Sequence, residues 1–132
     1  MAKSRIVAVV GEAAVRRVIS EGVDADRDGT AVAVRYLLQE LVAAAPGNTV
    51  EVRVPPHGAV QCIEGPNHTR GTPPNVIEMD AETWVAVATG SLAWPDALSR
   101  GRISASGSRA DLGDHLPVHL LRGEPDQWRI GP

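Results

Sequence analysis

The stretch TVEVRVPPHGAVQCIEGPNHTRGTPPNVIEMD, residues 49–80, decides the fold. Val50, Val52 and Val54 alternate with Glu51 and Arg53. A period of two sends successive side chains to opposite faces, so this is a strand with one buried and one wet face. Pro55 and Pro56 end it, because proline brings no N–H to a ladder. GAVQCIE, residues 58–64, is a second strand whose looser alternation suits cover on both faces. PNHTRGTPP is a polar loop stiffened by proline, and NVIEM, residues 75–79, is a third strand. Three successive strands with turn-rich connections predict an antiparallel meander.

Upstream the period changes to that of a helix. Over residues 6–20, Val10, Ala13, Ala14 and Val18 recur at steps of three and four, and Gly22 stands at the capping position. DADRDGT, residues 24–30, has the alternating Asp of a calcium loop's opening. Its twelfth position, where a bidentate Glu is needed, is Arg35, so a polar turn that caps the next helix is the better reading. That helix, residues 30–45, carries Ala31, Val34, Leu38, Leu41 and Ala45 on one stripe, widened by Leu37, and ends at Pro46-Gly47.

Downstream, Asp80 is an N-cap, and Ala81, Trp84, Val85 and Ala88 form the buried face of a third helix closed by Gly90. A short fourth helix has Pro95 at its start and Gly101 past its end. RISASG, residues 102–107, is a fourth strand, and residues 110–121 hold one further helical turn. Residues 118–132 form an irregular tail rich in Gly and Pro, with Trp128 as its anchor. Helices, strands, helices and a returning strand define an α+β domain.

The 132 residues fit one domain, residues 1–132, with an aliphatic core: there is no Phe, one Tyr and three Trp. A net charge of -3 gives no pull toward nucleic acid or anionic membrane. A single cysteine makes no internal disulfide, which suits a reducing cytoplasm. The early apolar run, residues 6–10, is too short for a signal peptide, and no run reaches a membrane span. The expectation is a cytoplasmic protein without stable membrane insertion.

DAETWVAVATGSLAWPDALSRGRISASG, residues 80–107, resembles the sterol carrier protein 2 family. The resemblance rests on Asp80 opening a helix, Thr89-Gly90-Ser91-Leu92, Asp96-Ala97, and Gly101-Arg102-Ile103 running to Gly107. The segment RVPPHGAVQCIEGPNHTRGTPPNVIE, residues 53–78, is similar to a bacterial, actinobacterial-type branch, and the resemblance covers about residues 30–117. It implies a mostly antiparallel sheet of about five strands with helices on one face. It also implies an apolar tunnel that takes fatty acids, acyl-CoA or sterols. On that model the lining is Val34, Leu38, Leu41, Val60, Cys62, Trp84, Leu92, Leu98 and Ile103. The C-terminus, Ile130-Gly131-Pro132, is not the peroxisomal signal of animal members, and no catalytic set carries over.

Several other residues invite chemistry. His57, Cys62 and His68 have four and five residues between them but no CxxC or HExxH unit, so loop histidines and a buried thiol are the plainer reading than zinc. Cys62 as a nucleophile needs a neighbouring base, and a mid-strand thiol is usually inert. Arg70 and His68, near Glu64, are the candidate contacts for a ligand's head group, against the plainer role of holding the loop. Trp84 and Trp94 are core or cavity lining, with Trp94 expected partly exposed beside Pro95. Ser91 and Ser99 lack the Gly-x-Ser-x-Gly elbow of a hydrolase.

The sequence therefore favours a non-catalytic carrier of a hydrophobic molecule, with no cofactor and no metal. The alternative is a structural or interaction module without a cavity, partnering a separate enzyme such as a mycothiol-dependent one. A small enzyme built on Cys62 or on Glu64, His68 and Arg70 is the weakest of the three.

Overall fold

The computed structural model describes residues 5–65 and 75–119. Four helices, α1 (Ala8–Glu21), α2 (Arg27–Ala44), α3 (Ala81–Thr89) and α4 (Trp94–Ser99), accompany four strands. The strands are β1 (Val50–Val54), β2 (Gly58–Cys62), β3 (Asn75–Met79) and β4 (Ile103–Ser106), followed by a 3-10 turn at Gly113–His115. The α+β class stands, with four strands among the described residues.

The strand order is β2-β1-β3-β4. β1 pairs antiparallel with β2, as the Pro-rich turn predicts, and β3 pairs antiparallel with β4. However, β3 lies beside β1 and runs parallel to it, Val52 opposite Ile77. The meander is thus corrected to a mixed sheet, because twelve residues separate β2 from β3 and leave the chain free to return to the far side of β1. Among the described strands, that topology places β2 at an edge.

Alternation sets the two faces. Val50, Val52, Val54, Cys62, Ile77, Met79 and Ile103 are buried on the helix side. Gln61, Glu78, Ser104 and Ser106 are exposed on the other, with Glu51 and Arg53 half-buried and paired at 2.7 Å. Leu37, Leu38 and Leu41 of α2 meet the sheet's apolar face, and Trp84 of α3 completes the contact. The Trp84 indole N–H donates to the Val34 carbonyl at 3.2 Å, which satisfies the ring's one donor inside the core.

Local chemistry explains the element ends. Asp80 accepts from the Thr83 N–H at 2.8 Å, the expected N-cap, and Gly90 closes α3 in the left-handed region. α2 starts three residues before the expected point, and Asp26 at its N-cap position makes no side-chain cap. Instead Asp26 pairs with Arg17 at 3.3 Å, and the Thr30 hydroxyl donates to the Val23 carbonyl at 2.7 Å. The capping role expected of residues 24–30 is therefore replaced by bonds to the end of α1.

β2 stops at Cys62, two residues early. Ile63 adopts φ 69, and its N–H turns to the Ala45 carbonyl at 2.7 Å. Gly47 packs against that backbone so closely that a Cβ there would lie 2.1 Å from the Ile63 carbonyl oxygen. Trp94 also departs from expectation: it is 6% exposed, because α4 folds back on α3 and the core. The tail expected over residues 118–132 falls outside the described residues beyond His119, as does Trp128.

Candidate functional site: an open groove beside the second helix

Among the described residues, a flank of α2 is left uncovered where it passes β2. A groove of about 460 Å³ runs between them. Ile6 and Val60, both half-buried, give it apolar walls, Leu38, 2% exposed, lies beneath them at its floor, and Gly58 keeps the strand side low. A Cβ at Gly58 would meet the Leu38 Cδ1 at 3.5 Å and the Arg35 Cγ at 3.8 Å, so the glycine holds open a methyl-sized space. Arg5 and Arg35 stand at the rim. The Arg35 Nε–H donates to the His57 carbonyl at 2.9 Å, tying the helix to the β1–β2 turn. A guanidinium has five donors, so this bond leaves others for a carboxylate.

The groove has two neighbours. At the His57 end a cleft of about 700 Å³ lies between the starts of α2 and α3, and Asp24, Asp28, Asp80 and Glu82 make it acidic. Past Arg5, Ile6 and Gln39 lies a wider cleft of about 990 Å³, bordered by Tyr36 and His119. His119 Nε2 is 2.9 Å from Glu12 and its Nδ1 is 3.6 Å from Glu40. Burial, then Glu40 and Glu12, raises the Tyr36 phenol above its ordinary range and keeps it protonated.

The structure separates the residues expected to line a tunnel. Leu38 and Val60 meet at the groove. Leu92 borders a different cleft of about 270 Å³ between α1 and α3. Val34, Leu41, Cys62, Trp84 and Ile103 are plain core. Leu98 is 41% exposed, because α4 turns it away from the interior, so it is no lining residue of the described part. The space between α2 and the sheet, expected to be hollow, is filled by Leu37, Leu41, Val50, Val52, Val54 and Trp84, all at zero exposure. Close packing of this kind leaves no room for a hydrocarbon tail there. His68 and Arg70 lie outside the described residues.

The alternative chemistries find little support in the geometry. Burial pushes the Cys62 thiol up to about 11, the reverse of an activated nucleophile. His57 and Cys62 sit at opposite ends of β2, about 16 Å apart at strand rise, too far for one metal. Among the described residues no group of three His, Cys, Asp or Glu side chains is placed to hold a metal ion. No described helix is long and apolar enough to cross a membrane.

The sequence does not single out Arg35, Arg5 and Gln39 as site residues. Arg35 lies off the apolar stripe of α2, and nothing local announces that the His57 turn will close against it. Gln39 had a weak signal, a neutral polar residue beside the stripe's buried Leu38.

The fold and its groove define an α+β domain with helices on one side of a mixed sheet and a partly apolar groove beside α2. Residues 26–118 match the family of bacterial sterol carrier protein orthologs, and the chain belongs to that family. No curated protein matches the chain.

Proposed function

We propose that this protein binds and carries an acyl lipid in the α2–β2 groove, without chemistry. The tail lies along Ile6, Leu38 and Val60, and an acidic head group pairs with Arg35. The observation that supports this reading is the groove that Ile6, Leu38 and Val60 line together with Arg5 and Arg35. Burial of methylene groups drives it, at about 0.8 kcal/mol each. An open groove covers one side of the tail, so about eight methylenes half covered contribute roughly 3 kcal/mol. A solvent-exposed head-group pair adds at most about 1 kcal/mol. Together these correspond to a dissociation constant near the millimolar range for a short acid.

Titration by NMR at rising octanoate tests the reading. Gly58→Leu fills the groove and is expected to abolish binding while the fold persists. Arg35→Ala is expected to weaken octanoate about fivefold and leave octanol unchanged. Equal binding by wild type and Gly58→Leu refutes the groove as the site.

The open face of the sheet favours a second reading, a docking module for a separate enzyme. Gln61, Glu78, Ser104 and Ser106 present a polar surface that no described residue covers. On that reading Glu78→Lys disrupts association with the partner and leaves octanoate binding intact.

A further inference from the structure

Residues 5–7 cross α2 before α1 begins, and their attachment is narrow. The Ile6 N–H donates to the Gln39 Oε1 at 2.9 Å, and the Gln39 Nε2 donates back to the Ile6 carbonyl at 2.9 Å. One side-chain amide thus holds both backbone polar groups of a single residue. The other tie is Arg5 to Glu40 at 3.9 Å, where Arg5 is 68% exposed, and an exposed pair of that length holds little. The Ile6 side chain is only partly buried against the core. α1 starts without a side-chain cap, Val7, Val9 and Val10 near its start are exposed, and the Val7 carbonyl accepts only from the Val10 and Gly11 N–H groups of α1 among the described residues.

Arg5, Ile6 and Gln39 border both the 460 Å³ groove and the 990 Å³ cleft. The crossing segment is therefore the partition between them. We propose that residues 5–7 are a clasp closed by Gln39, whose local opening joins the two clefts into one bed for acyl chains longer than the groove. The inference rests on the groove being the ligand site. A short acid fits on the near side of the clasp and needs no opening. A long one gains further apolar contact with Val7, Pro117 and Val118 only after Ile6 lifts. Segments with few buried contacts and few hydrogen bonds open at a fraction of the global unfolding cost, which makes such a gate physically accessible. A ligand whose binding-competent state is rarely populated binds as if weakened by that fraction, so loosening the clasp removes the penalty.

The experiment compares wild type with Gln39→Ala, using octanoate and hexadecanoate as probes and amide hydrogen exchange at Ile6 as a direct report on the clasp. Two hydrogen bonds are lost, so the Ile6 amide is expected to exchange about tenfold or more faster in the variant. Hexadecanoate association is expected to accelerate by a similar factor, and by more than octanoate association does. Equal acceleration of both acids, no acceleration of hexadecanoate, or an unaltered Ile6 exchange rate overturns the clasp. Failure of both acids to bind wild type overturns the carrier reading and the clasp with it. Octanoate binding at the groove without selective acceleration of hexadecanoate overturns the clasp alone.

Discussion

Replacing Gly11 by Ala sets two known effects against each other. Gly11 is buried where α1 crosses α2. A Cβ built there would lie 2.2 Å from the Tyr36 Cγ and 2.3 Å from its Cδ1. Alanine in a helix interior is favoured over glycine by about 1 kcal/mol, which alone predicts a more stable protein. The clash opposes it. The Tyr36 Cγ is the root of the ring, so no flexible tip can swing aside, and the ring's edge already rests on His119 at 5.5 Å between centroids. Either the ring leaves its rotamer or the helices separate. Overpacking costs about 1–3 kcal/mol and occasionally more, and a contact this short belongs at the upper end. The net expectation is a loss of about 2 kcal/mol, a fall in Tm of roughly 6–10 °C for a chain of this size. Thermal unfolding followed by circular dichroism measures it. In a Tyr36→Leu background the same substitution is expected to cost far less, since neighbours are non-additive. A Gly11→Ala protein as stable as wild type, or more stable, refutes the claim that the glycine sets the α1–α2 approach.

Other outcomes follow from single groups. Burial alone raises the Asp80 carboxyl, but hydrogen bonds from Thr83 and the Arg102 guanidinium outweigh it and hold it below its usual 3.8. A depressed carboxylate stabilises above its unfolded pKa, and that contribution disappears as pH falls through the folded value. Asp80→Asn, which keeps a cap but no charge, is therefore expected to show a shallower stability loss below about pH 4 in acid titration. A thiol held up to about 11 and fully buried resists modification, so Cys62 is expected to react with a thiol reagent at pH 8 only at the rate of opening. Rapid stoichiometric labelling of the native protein contradicts that. Trp84→Phe removes the donor to the Val34 carbonyl and leaves space in the core, at an expected cost of about 1–3 kcal/mol in denaturant unfolding.

Much of the fold was legible because local chemistry and tertiary packing agree. The valines of β1, the Asp80 cap and the glycine after α3 each announce their element, and each holds. The order of strands was not legible. A hairpin signal fixes β1 against β2, but no residue in a twelve-residue connection records on which side of β1 the chain returns. Burial was readable as periodicity and unreadable as shape: Val34, Leu41 and Trp84 announce an apolar interior, and the same pattern fits a solid core and a hollow one. The groove was hidden for a further reason. It forms where Ile6, Arg35, Leu38 and Val60 converge from three separate segments, and its character depends on a glycine whose missing side chain leaves no mark on hydropathy.

Methyl-resolved NMR during an octanoate titration tests the central claim most directly. The account predicts saturable shifts at the Leu38, Val60 and Ile6 methyls, with Leu41 and Ile77 still. Shifts confined to core methyls, or none at any of these positions up to several times the millimolar range, contradict a ligand groove beside α2.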